Sequence, residues 1–194
     1  MKIERRPSTA LLPTPVVLVS VAGEGAHPNM LTIAWTGVVC SAPPMLSVAV
    51  RPSRHSYHLM TATRDFVVNI PPAELVEAVD RAGVWSGAEH DKFAELGFTA
   101  RPASKVKAPL IEECPINLEC VVRHQLELGA HDLFIAEIVA VHYDKELLDA
   151  RGRLRTGAVS ALGYVGGDYY TLGECVGTYG YSQQALRDKP ETEG

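Results

Sequence analysis

Within seven residues, Arg51-Pro52-Ser53-Arg54-His55-Ser56-Tyr57 carries two guanidinium groups and three hydroxyls, directly after a short apolar run. Guanidinium groups make paired, charge-assisted hydrogen bonds to phosphate oxygens, and hydroxyls complete such a donor set. Arg51, Ser53, Arg54 and Tyr57 are therefore candidate ligands for a phosphate group. Solvated surface arginines are the alternative that residue types alone leave open. Elsewhere the chemistry is sparse. Cys40, Cys114, Cys120 and Cys175 form no Cys-x-x-Cys pair and the histidines show no metal-ligand spacing, which argues against a zinc site or a redox dithiol. Small, buried apolar residues are the expectation for the thiols.

The donor cluster needs elements to hold it. Met30 to Cys40 mixes Thr, Ile, Val and Trp as a strand does, and Met45 to Val50 is a second β-type run. Between them Ser41-Ala42-Pro43-Pro44 marks a turn, because proline lacks a ladder donor and restricts its predecessor. Upstream, Val16 to Ala22 is β-branched and ends at Gly23-Glu24-Gly25-Ala26, which predicts a hairpin opening the sheet. Downstream, His58 to Thr63 reads as a short helix and Asp65 to Ile70 as a strand stopped by Pro71-Pro72. Ala73 to Ala82 has helical periodicity with Gly83 as its stop, and Asp91 to Leu96 is another short helix. Pro102 to Pro109 is a connector carrying Lys105 and Lys107. Ile116 to Leu128 and Leu133 to Tyr143 form an antiparallel pair about the turn Gly129-Ala130-His131-Asp132. Gly163 to Gly180 is rich in Gly and Tyr. Strands dominate, helices are short and inserted, and most strands pair with sequence neighbours, which predicts a mainly β, antiparallel barrel. No Gly-x-Gly-x-x-Gly opens a crossover helix, so any dinucleotide must bind without a Rossmann turn.

A length of 194 residues fits one domain with its own core, expected over residues 1–185 with a polar, frayed tail over 186–194. The chain is 46% hydrophobic and 21% charged, with no apolar run long enough to cross a bilayer. Pro7, Pro13 and Pro15 break up the stretch after the basic first residues and no small-residue cleavage site is evident, so a cytoplasmic location is expected. With 18 basic against 23 acidic residues the formal charge is -5, which disfavours a nucleic-acid partner.

The order Pro28-Asn29-Met30, Thr32, Trp35, Ser41, Pro43-Pro44, Arg51-Pro52-Ser53-Arg54, Tyr57 and Phe66-Val67-Val68-Asn69-Ile70-Pro71 resembles the flavin reductase-like family, its flavoredoxin branch most of all. Ser86-Gly87 with Asp91-Lys92-Phe93, and His131 within Gly129 to Glu137, extend the likeness over roughly two thirds of the chain. The resemblance implies an FMN-binding, Greek-key split β-barrel that forms a homodimer. It also implies site residues. Arg51, Ser53, Arg54 and Tyr57 would hold the phosphate. Asn29, Met30, Thr32 and Trp35, with the backbone of Leu31, Ile33 and Ala34, would surround the ring. By its position alone, at the end of the first strand beside the turn, Cys40 is a candidate to border it, with a small buried residue as the other reading. Lys92 would lie near the cofactor, where a cation stabilises a reduced, anionic flavin; an exposed lysine opening a surface helix is the other reading. His131 resembles the histidine that neighbours the nicotinamide, although Gly129-Ala130-His131 departs from the family's usual Gly-Asp-His, and an exposed turn histidine is the other reading.

Strand alternation places Met30, Thr32 and Ala34 on one face and Leu31, Ile33 and Trp35 on the other, so these side chains cannot all line one flat pocket. The resulting expectation is an oxidoreductase passing electrons from NADH, NADPH or a protein donor through FMN, with a nicotinamide or flavin substrate and a redox protein as further partner. Hydride transfer to a flavin needs no strong protein acid or base, so a missing catalytic triad is no objection. The alternatives are an FMN-holding electron carrier that turns over no nicotinamide, and a cofactor-free split-barrel interaction module.

Overall fold

The computed structural model describes residues 1–22, 27–155 and 157–183. Its strands are β1 (Thr14–Pro15), β2 (Val17–Val21), β3 (Asn29–Ile33), β4 (Thr36–Ser41), β5 (Pro44–Val50), β6 (Asp65–Ile70), β7 (Ala100–Arg101), β8 (Leu110–Ile111), β9 (Ile116–Glu127), β10 (Asp132–Tyr143), β11 (Leu162–Val165) and β12 (Asp168–Thr171). Among the described residues the α-helices α1 (His55–Thr63), α2 (Val76–Val84) and α3 (Lys92–Leu96) are inserted. Seven strands form one antiparallel sheet in the order β3-β2-β6-β9-β10-β5-β4, flanked by small sheets β1-β11-β12 and β7-β8.

The two ends of that order, β3 and β4, are separated in the chain by Ala34 and Trp35 alone. A sheet whose opposite edges are that close in sequence must curl until they nearly meet, and β3 does lie against β5. This is the expected split barrel. It also corrects one expectation: Met30 to Cys40 is two strands, not one, and the break at Ala34-Trp35 carries the chain from one edge of the barrel to the other.

β2 shows why the layers form. Val17, Val19 and Val21 point into the barrel beside Leu31, Val48, Phe66 and Phe134. Val16 lies just before the strand, and it and Leu18 pack outward with Met30 against Val79 and Ala82 of α2 and Phe93 of α3. With both faces covered, all five residues are buried, and period-2 alternation yields to an apolar run broken only by Ser20, whose hydroxyl donates to the Pro109 carbonyl. Each fully buried Val, Leu or Phe contributes roughly 1.5 to 3 kcal/mol relative to exposure.

Other boundaries differ modestly. α1 starts at His55 instead of His58, and Pro44 joins β5 by pairing with Ser41, which an edge tolerates. Gly83 lies inside α2 and does not end it; its missing side chain has a packing reason given below. Cys114 and Cys120 are buried, Cys40 is half-buried and Cys175 exposed. Burial pushes the Cys120 thiol up to about 12 and the Cys114 thiol up as well, so both stay protonated and unreactive. The turn at Gly23 to Ala26 and the tail at 186–194, with the boundary drawn after residue 185, lie outside the described residues. No helix among the described residues is long and apolar enough to cross a membrane.

Candidate functional site

The loop after β5 delivers Arg51, Ser53 and Arg54 to the start of α1. Arg54 takes the N-cap position in an extended conformation (φ -77°, ψ 137°), with no side chain capping the helix and no acidic residue in its first turn. A helix start leaves backbone N–H groups without intrahelical partners and carries partial positive charge. Here those donors combine with two guanidinium groups and a serine hydroxyl. A recess of about 200 Å³ opens at this point, lined by Asn29, Arg51, Ser53, Arg54, Ser56 and Lys92 among others. The donor set fits a phosphate dianion and nothing in it opposes one.

The recess opens into a cleft of about 420 Å³ through their shared walls, Leu31, Arg51, Arg54 and Gly83. One side of the cleft is the barrel rim: Leu31 through Trp35, Ala49 to Arg51, and His131. The other is Asp80, Gly83 and Val84 of α2 with Tyr164 and Tyr169 of β11 and β12. Tyr169 donates to Asp80 Oδ1 at 2.9 Å, tying the small sheet to α2. Such a volume is of ligand size.

β3 is fixed between the helices by polar contacts. Asn29 Nδ2 donates to Ser56 Oγ at 2.8 Å, and Thr32 Oγ1 donates to the Val79 carbonyl. A Cβ on Gly83 would come within 3.1 Å of Thr32 Cβ, and one on Gly87 would overlap the Asn29 side chain. These two glycines let α2 and the following loop press onto β3. Lys92 is 3% exposed, and its ammonium donates to the carbonyls of Met30 at 2.9 Å and Ala82 at 2.7 Å. Burial, with the nearby Arg54 charge, lowers its pKa to about 8. It is therefore not the exposed lysine of the alternative reading.

At the other end of the cleft, His131 packs on Trp35 with ring centroids 4.5 Å apart, and Arg51 Nε lies 3.4 Å from its Nε2. Burial first, then the Arg51 charge, holds His131 below its ordinary pKa, which favours the neutral imidazole. His131 is half-buried and Trp35 is 42% exposed at the cleft mouth.

The structure thus gathers Asn29, Leu31, Thr32, Ile33, Ala34, Trp35, Arg51, Ser53, Arg54, Lys92 and His131 around one recess and cleft. Three expected residues are placed elsewhere. Met30 is fully buried against α2 and α3 and offers only its carbonyl, to Lys92. Cys40 sits in the edge hairpin away from both openings, since the break at Ala34-Trp35 turns the chain outward. Tyr57 turns inward: its hydroxyl donates to Asp132 Oδ2 at 2.7 Å and its ring packs on Phe134. Residues missed from the sequence are Asp80, Gly83, Val84, Tyr164 and Tyr169. A glycine within an otherwise regular helical pattern was the available signal for Gly83; the tyrosines were visible only as composition.

A family model described as flavin reductase like domain matches residues 9–173. The structure of flavoredoxin from Desulfovibrio vulgaris (Miyazaki F) aligns with a TM-score of 0.86 and 34% identity, over 92% of this chain and 97% of that one. Flavoredoxin from Methanosarcina acetivorans aligns with a TM-score of 0.88 and 28% identity, over 96% and 99%. Among curated proteins, an FMN reductase (NADH) of Rhizobium rhizogenes is 26% identical over 140 residues, 72% of this chain and 78% of that protein.

Proposed function

The chain belongs to the flavin reductase-like domain family, and from that premise we propose that it holds FMN and transfers electrons to it from NADH or NADPH. The observation that carries this reading is the uncapped start of α1 facing Arg51, Ser53 and Arg54 across a recess that opens into a ring-sized cleft.

Arg51, Ser53, Arg54 and the first amides of α1 would bind the phosphate, with Lys92 adding charge from beneath. The backbone of Leu31 to Ala34, with its unpaired edge on the rim, would orient the ring, while Trp35 and Val84 supply apolar walls. FMN bound there supplies two-electron redox chemistry, accepting and releasing a hydride. The chain's own part is to hold the donor ring at contact distance and exclude water. His131, braced by Trp35 and Arg51 at the mouth, would shape that approach.

Two broader features belong to the same reading. β4 is an edge strand with Val38 77% and Val39 52% exposed, and a second copy of the chain is its proposed cover. The four unpaired thiols suit a reducing compartment, the cytoplasm. The test is an absorbance spectrum of purified protein, before and after anaerobic NADH or NADPH. Bleaching of a flavin band by either donor supports the proposal. A colourless protein that binds no added FMN defeats it, and a flavin reduced by dithionite but by neither nucleotide leaves an electron carrier.

A further inference from the structure

On the far side of Trp35 and Tyr164 the proposed flavin cleft adjoins an annex of about 410 Å³, and both residues line the two spaces. Its lining differs in kind from that of the cleft. None of its ten residues is charged, whereas the cleft and recess carry Arg51, Arg54, Asp80 and Lys92. The annex offers the hydroxyls of Ser8, Thr9 and Thr14, the two aromatic rings, and the apolar rim of Leu11 and Leu12. Those leucines are 80% and 51% exposed, so a molecule seated there would remove apolar surface from water. The lining itself holds no cation for the diphosphate of a nicotinamide dinucleotide, and burying that group without one is unfavourable; Arg5 and Arg6 line a separate space on the far side of Ser8.

The geometry points to the annex as the binding site of a second substrate, an uncharged planar acceptor of the para-quinone class. Aromatic faces of Trp35 and Tyr164 suit a flat ring, and the hydroxyls suit carbonyl oxygens. The inference rests on the proposed FMN reading and adds the electron acceptor to it. The overall reaction is NAD(P)H + H⁺ + quinone → NAD(P)⁺ + hydroquinone. The nicotinamide loses a hydride and is oxidised, while the quinone gains two electrons, that hydrogen and one solvent proton, its two carbonyls becoming hydroxyls.

The probe is duroquinone, whose ring is fully methylated and so does not add to the exposed Cys175 thiol. Its dissociation constant is measured by calorimetry on the FMN-loaded full chain without electron donor, for the wild type, Leu12→Asp and the milder Leu12→Ser. Flavin content and mass by light scattering are recorded for each. The expected result is at least tenfold weaker duroquinone binding in Leu12→Asp, a smaller loss in Leu12→Ser, unchanged flavin content and unchanged mass. Equal duroquinone affinity in all three proteins overturns the inference. So does a loss that appears only together with a change in mass, which would make the rim an interface between copies. If the wild type binds no FMN yet takes up duroquinone in a Leu12-dependent way, the FMN reading fails and the annex stands.

Discussion

The ammonium of Lys92 lies 2.9 Å from the carbonyl oxygen of Met30, deep beneath the strand that borders the cleft. Its second contact, 2.7 Å to the Ala82 carbonyl, makes it a brace between β3 and α2. The same nitrogen is within reach of the recess that Arg54 lines from the other side. One buried cation therefore links the fold of the rim to the charge of the site.

This brace should leave a mark on stability. The folded pKa of Lys92 is about 8, below its ordinary 10.5, so between those values the folded protein binds fewer protons than the unfolded one. Stability then rises with pH across that window. In urea denaturation of the FMN-free protein, the stability of the wild type minus that of Lys92→Met should grow by up to roughly 3 kcal/mol between pH 7 and 10.5. A difference that stays constant with pH would show that the ammonium is not desolvated.

Arg51 and Arg54 are solvent-exposed until a ligand covers them, so replacing both with Ala should leave stability within about 0.5 kcal/mol. FMN affinity should fall by several kcal/mol, each charge-assisted bond to phosphate contributing about 1.5 to 3. Riboflavin, which lacks the phosphate, should bind the wild type poorly and the double variant no worse. Fluorescence titration of both flavins against both proteins gives the answer, and equal FMN affinities would remove the phosphate from this loop.

Tyr57 sits in the same sequence cluster yet serves the fold. Its hydroxyl donates to the buried Asp132 and accepts from Gln125 Nε2 at 3.1 Å. Tyr57→Phe should cost about 1 to 2 kcal/mol of stability and leave the FMN dissociation constant unchanged. Thermal unfolding and flavin titration on one preparation separate the two effects.

The contrast between Arg51 and Tyr57 marks how far the sequence was legible. That Arg51, Ser53 and Arg54 line one recess was readable because the cluster is local: proximity in the chain is proximity in space. β9 and β10 were readable for the same reason, as alternation and a turn specify a hairpin without reference to anything distant. Tyr57 was misread because α1 lies over the barrel end, and only that placement decides whether its ring meets solvent or Phe134. Met30 to Cys40 gave no local sign of its break, since residues on both sides are equally β-forming; closure of a seven-stranded barrel imposes it. Lys92 is the extreme case. A lysine beginning a short helix belongs on the surface by default, and it is buried only because carbonyls from β3 and α2 converge where its side chain ends.

That burial should give the proposed phosphate recess its own pH response. A bound phosphate dianion beside Lys92 favours the charged ammonium and raises its pKa above the value of about 8 in the free protein. FMN binding above pH 8 must then take up a proton, because the free protein is partly deprotonated there and the complex is not. A phosphate monoester with a second pKa near 6 is already a dianion, so it does not contribute in this range. The FMN dissociation constant should be flat from pH 7 to about 7.5 and then rise by up to about tenfold per pH unit between 8 and 9.5. Lys92→Met should bind more weakly at pH 7 and show no such rise, while Lys92→Arg should also titrate flat because its charge persists. Fluorescence titrations of the three proteins across this range decide the point: parallel curves would mean that the phosphate lies beyond the reach of Lys92, and the brace would then act on the fold alone.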